Sequence, residues 1–105
     1  MTPDKDRTRP SLPATVIIIP AFNEGEVIGS VIEEIRAHCD FPIFVIDDAS
    51  TDDTITRAMQ AGATVVPLAV QLGAWGAMQT GLRLASRNGY DVAITMDADG
   101  QHDAA

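Results

Sequence analysis

The chain has 105 residues, 46% of them hydrophobic and 21% charged, with a formal net charge of −8. That describes one small soluble domain, or part of a larger one, with enough apolar material for a core. Residues 1–14 hold Lys5, Arg7 and Arg9 against Asp4 and Asp6, whereas the remainder carries four Arg, thirteen acidic residues and no Lys. Such a surface repels nucleic-acid phosphates, so no nucleic-acid partner is expected. It would also repel a free nucleotide unless a metal intervenes. The single Cys39 excludes an intrachain disulfide and reads as a small buried hydrophobe. His38 and His102 have no partner at zinc-ligand spacing. No apolar run approaches the roughly 18–20 residues of a membrane span, and the N-terminus lacks the apolar region of a signal peptide. A cytoplasmic chain is the expectation.

In chain order, residues 1–14 combine three prolines and five charges and read as a flexible leader. Residues 15–105 form the folded part. Val16-Ile17-Ile18-Ile19 is β-branched and wholly apolar, as in a strand covered on both faces, and Pro20 is expected to end it. Asn23 is a plausible helix N-cap, with Glu26 at capping-box spacing. Val27, Ile28, Val31, Ile32 and Ile35 then make a helical apolar stripe. Residues 42–46 are the second strand, with Asp47-Asp48 at its exit. Ser50 is expected to cap the next helix, with Asp52 and Asp53 in its positive first turn and Ile55 and Met59 facing the core. Gly62 suits a left-handed C-terminal cap, and 64–66 form a third strand. Residues 71–89 begin glycine-rich and continue as a helix through Met78, Leu82 and Ala85. Residues 92–96 form a fourth strand that reads as buried.

The order β-α-β-α-β-α-β with short apolar strands implies an α/β fold, a mostly parallel sheet with helices on both faces. Ligands of such sheets bind at the carboxyl ends of the strands. Strand one delivers Pro20, Phe22 and Glu24 there. Strand two delivers Asp47 and Asp48, and strand four delivers Asp97, Asp99 and Gln101. A carboxylate cluster repels itself, and a bound Mg²⁺ or Mn²⁺ is the simplest compensation. Each part also has a plain structural reading. Asp52 and Asp53 suit a helix N-terminus, Glu26 a cap, and Asp47-Asp48 a solvated turn. Co-location on one sheet edge is what favours a site. Gly73, Gly76 and Gly81 suggest a phosphate cradle at a helix N-terminus, although they form neither a Walker A loop nor a dinucleotide fingerprint. Trp75 either packs as core or covers a ligand.

Residues 17–24 (IIIPAFNE), 45–52 (VIDDASTD), the Gly73–Gly81 segment and residues 96–102 (MDADGQH) occur in order and at suitable separations. Together they resemble glycosyltransferase family 2, of GT-A fold, over about residues 14–105. The Asp-Ala-Asp-Gly-Gln-His form is most similar to dolichol- or polyprenyl-phosphate mannose or glucose synthases. The resemblance implies an inverting, divalent-metal-dependent transfer from a UDP- or GDP-sugar to an acceptor such as a polyprenyl phosphate. It implies that Pro20, Phe22 and Glu24 line the nucleoside pocket and that Ile46 and Asp48 contact the base. Asp97 and Ala98 would contact ribose and phosphate. Asp99 and Gln101 would hold the Mg²⁺ or Mn²⁺, with Asp97 a further candidate ligand. Family catalytic domains run to about twice this length, so the chain reads as the donor-binding half, truncated after the fourth strand, with the catalytic base unidentified. Gln71 stands where Asn is common, and Trp75 where a small or basic residue is common. A location at the cytoplasmic membrane face follows from a lipid acceptor. Self-association through an unpaired sheet edge is expected of such a half. Two other readings stay open: a non-catalytic nucleotide- and metal-binding module of the same fold, and a phosphoacceptor signalling domain. The second is disfavoured because the acidic pair follows strand two and no Lys lies past Lys5.

Overall fold

The computed structural model describes residues 13–98. The leader, apart from Pro13 and Ala14, lies outside them, as do Asp99, Gln101 and His102. Four strands and three helices alternate: β1 (Thr15–Ala21), α1 (Ile28–His38), β2 (Ile43–Asp47), α2 (Thr54–Gln60), β3 (Thr64–Pro67), α3 (Gly73–Arg87) and β4 (Val92–Thr95). All pairings are parallel, in the order β3-β2-β1-β4. Ala14 is already tied down, since its N–H donates to the Asp91 carboxylate at 2.9 Å.

β1 is central, and its β-branched run is buried on both faces, as a covered strand requires. Ile17, Ile19, Ile43 and Val45 pack under α1 and α2 with Ile28, Ile32 and Ala58. Val16, Ile18 and Ile46 pack under α3 with Ala77 and Ala85. These two half-cores make the three layers. Pro20 does not end β1, which runs on to Ala21 in register with Asp47. Pro20 shares the strand side of Ile18, whose carbonyl accepts from Met96 N–H at 3.0 Å. The β1–β4 pairing stops at Ile18 and Thr95. The missing proline N–H therefore faces the side where the ladder has already ended.

The helix starts differ from expectation. α1 begins at Ile28 with no side-chain cap, and Glu26 is exposed. Asn23 lies in the left-handed region (φ 52). Its Oδ1 accepts from Thr51 N–H at 2.8 Å and Asp52 N–H at 3.3 Å, so it caps the neighbouring loop instead of its own helix. α2 begins at Thr54, later than a Ser50 cap would place it. Thr54 and Ala58 face the core, while Met59 is 61% exposed and Ile55 half-buried. Gly62 takes the expected positive φ of 101.

β4 departs from the buried strand expected. Val92, Ile94 and Met96 are all partly exposed, because β4 is an edge strand reaching past the cover of α1. Between it and α1 lies an apolar cavity of ≈ 250 Å³ lined by Val31, Ile35, Cys39 and Met96. Cys39 is correspondingly half-buried rather than a core residue. Among the described residues no helix is long and apolar enough to cross a membrane.

Candidate nucleotide-binding cleft

Beyond Ile18 the strands diverge. β1 and β2 stay paired to Ala21 and Asp47, and Asp48 N–H donates to Ala21 O at 2.8 Å. β4 has separated by then. The carboxyl ends of β1 and β4 thus open a crevice at the point where strand order reverses, the usual ligand position of an open α/β sheet. A cleft of ≈ 290 Å³ fills it. Pro20, Phe22 and Glu24 form one wall, Asp97 and Ala98 another, and Asp48 and the start of α3 close the third side.

Strand alternation separates the acidic pair. Asp47 follows Val45 onto the α1–α2 face and is buried. Its Oδ2 accepts from Ser50 N–H at 3.0 Å, and its buried Oδ1 has no hydrogen-bond partner among the described residues. Asp48 turns to the other face. Its Oδ1 accepts from Leu72 N–H at 2.7 Å and its Oδ2 from Gly73 N–H at 2.9 Å. It therefore caps α3 from outside that helix's own sequence, where the positive helix end favours an anion.

Six expected site residues meet at the cleft: Pro20, Phe22, Glu24, Asp48, Asp97 and Ala98. Ile46 does not; it is fully buried beneath α3. The glycines divide as well. Gly73, with φ 86, lines the cleft. Gly81 is a packing glycine, since a Cβ there would lie 2.5 Å from Ile18 Cγ2. A Cβ at Gly76 would lie 2.7 Å from Leu72 Cβ. The expected cradle therefore reduces to Gly73. Trp75 is 73% exposed in the first turn of α3 and outside the cleft lining. Ala21, Ala74 and Ala77 line the cleft without having been anticipated. Their methyl side chains carry no chemical signal; the i, i+3 spacing of Ala74 and Ala77 was the sole hint.

Among the described residues the lining includes Glu24, Asp48 and Asp97 and no Lys or Arg. Among the described residues no group of three His, Cys, Asp or Glu side chains is placed to hold a metal ion. Asp97 is exposed at the cleft wall, and Asp99 and Gln101 follow it outside the described residues. An acid-lined cleft with oxygen donors is chemistry that fits a hard divalent cation, which would also reverse the local repulsion of phosphate.

A parallel sheet of order 3-2-1-4 with an acidic crevice at its switch point defines an open, doubly wound α/β protein, a class whose ligands bind at that crevice. The sequence model of glycosyl transferase family 2 matches residues 16–105. The chain is 37% identical over 91 residues to an undecaprenyl-phosphate mannosyltransferase of Micrococcus luteus, covering 81% of this chain and 37% of that one. It is 32% identical over 103 residues to a UDP-N-acetylglucosamine–dolichyl-phosphate N-acetylglucosaminyltransferase of Methanococcus voltae, covering 82% and 41%. Among solved structures, glucosyl-3-phosphoglycerate synthase from Mycobacterium tuberculosis, in complex with Mn²⁺, UDP and glucosyl-3-phosphoglycerate, superposes with a TM-score of 0.68 at 30% identity. That match covers 82% of this chain and 33% of the other. The chain belongs to glycosyltransferase family 2, and it spans well under half the length of these relatives.

Proposed function

We propose that this chain binds the nucleotide-sugar donor of an inverting, divalent-metal-dependent sugar transferase whose acceptor is a lipid phosphate. The observation that carries the reading is the acid-lined cleft at the β1–β4 switch point, which gathers six of the seven residues expected to meet a nucleotide sugar. The exposed ring of Phe22 offers an apolar wall to the base, with Pro20 and Glu24 beside it. Asp48 fixes the start of α3 against that pocket. Ile46 supports the wall from beneath. Ala98, small and buried, lets ribose or phosphate approach the chain closely. Asp97, Asp99 and Gln101 would hold Mg²⁺ or Mn²⁺. When bound, such a cation stabilises negative charge on the leaving nucleoside diphosphate. Among the described residues of the lining no Lys or Arg stands in for it. The names of the relatives support an acceptor of polyprenyl-phosphate class. Such an acceptor is already anionic and needs no protein base to attack the sugar. It would place the protein at the cytoplasmic membrane face.

The test is transfer of labelled sugar from UDP- and GDP-sugars to a short-chain polyprenyl phosphate, with Mn²⁺ and with EDTA. Metal-dependent product formation is expected from one of the two donor series. A folded chain that binds UDP yet yields no lipid-linked sugar would favour the other reading, a nucleotide- and metal-binding module without transfer.

A further inference from the structure

Three successive backbone N–H groups in the β1–α1 loop each meet a side chain of the β2–α2 loop or of Thr54, the first residue of α2. Asn23 N–H donates to Ser50 Oγ at 2.8 Å, Glu24 N–H to Thr54 Oγ1 at 2.9 Å, and Gly25 N–H to Asp52 Oδ2 at 3.0 Å. The acceptors are themselves fixed. Asp52 Oδ1 accepts from Thr54 N–H at 2.9 Å and from the Thr54 hydroxyl. Asn23 Oδ1 returns the contact by accepting from Thr51 N–H and Asp52 N–H. Thr54 is fully buried, so its hydroxyl has no water to fall back on. Gly25 is held so close that a Cβ there would meet Asp52 Oδ2 at 3.0 Å and Asp53 Oδ1 at 2.1 Å.

We infer that Ser50, Asp52 and Thr54, with Asn23, are positioning residues for the donor site. None of the four lines the cleft, whereas Phe22 and Glu24, which do, flank or lie within the clamped stretch. The clamp fixes the backbone from 23 to 25 against the β2–α2 loop, so the wall met by the nucleotide is set before binding. A preorganised wall spares the ordering cost that a free loop would incur on binding. The role explains why the chain holds Asn23 in a left-handed conformation and the Asp52 carboxylate away from the cleft. The inference rests on the donor-site reading above.

The test uses the chain itself and UDP with Mn²⁺, measured by calorimetry well below each variant's melting temperature. Thr54→Val removes the acceptor of Glu24 N–H, and about tenfold weaker UDP binding is expected, with Thr54→Ser restoring it. Asn23→Gly keeps the positive φ and removes the Oδ1 acceptor; it is expected to weaken binding in the same direction, and it decides the question if Thr54→Val does not fold. Ile43→Val, at the far end of β2, lowers stability without touching either loop and should leave affinity unchanged. Hydrogen exchange at the Glu24 amide should quicken in Thr54→Val and not in Ile43→Val. Parent-like UDP affinity in a folded Thr54→Val or Asn23→Gly chain would overturn the inference, as would an equal loss in Ile43→Val. A folded parent chain that binds no UDP would overturn the donor reading and this inference with it.

Discussion

At Asp48 two backbone N–H groups converge on a buried carboxylate, and at Asp52 a hydroxyl and two N–H groups converge on an exposed one. Both residues follow from the same need: loops at the carboxyl edge leave amide donors that the sheet and helices do not satisfy. Asp48→Ala leaves the Leu72 and Gly73 amides without their acceptor in a partly buried place. The expected cost is about 1–3 kcal/mol in urea denaturation, and Asn in its place should recover part of it. Asp52 makes a pH-dependent prediction. Its carboxyl is held below the ordinary 3.8, chiefly by the Thr54 hydroxyl, with burial opposing and the Thr54 and Gly25 amides helping. A depressed carboxyl contributes stability above its unfolded pKa and loses that contribution as pH falls through the lower folded value. Asp52→Asn should therefore be less stable than the parent near neutral pH, and the gap should narrow as the pH falls through the lowered folded value. A constant gap across a pH series of thermal melts would contradict this.

The elements show where sequence patterns carry information and where they do not. The alternation of apolar runs and the Ile28–Ile32–Ile35 stripe were legible, because burial imposes a period on sequence, whereas the end of β1 was not, since it runs through Pro20 to Ala21. The caps were not. Asn23, Ser50 and Asp48 have capping chemistry, but their partners lie in loops about 25 residues away in sequence, which local spacing does not reveal. Gly73, Gly76 and Gly81 look alike in sequence, yet one lines the cleft and another is the contact point of α3 on β1 and β2. Substitution separates such glycines. Gly81→Ala drives a methyl into Ile18 and Ile46 and should cost about 1–3 kcal/mol, despite the better helix propensity of Ala. Gly29 in the first turn of α1 has nothing within 4 Å of a built Cβ. Gly29→Ala should raise stability by about 0.5–1 kcal/mol, read from the same denaturation curves.

On the scale of the whole molecule, topology decides both the site and the exposed edge. The reversal of strand order between β1 and β4 opens the cleft, and the same position leaves β4 at the sheet edge with Val92, Ile94 and Met96 partly exposed. The acidic residues of the cleft were legible because they carry charge in a chain that otherwise alternates apolar runs and helices. The residues of β4 did not reveal its exposure, since an apolar strand reads the same at an edge as in a core; only the family resemblance, with its half-sheet, implied an unpaired edge. An apolar edge strand is prone to pair with another copy, so concentration-dependent association is expected in ultracentrifugation, and Ile94→Lys should suppress it. The central claim is that the cleft binds a nucleoside diphosphate through a divalent cation. Calorimetric titration of UDP and GDP into the folded chain, with Mn²⁺ and with EDTA, tests it most directly. Saturable one-to-one binding that needs Mn²⁺ and is lost in Asp97→Ala is the predicted result. Absence of binding, or equal binding in EDTA, would contradict the account.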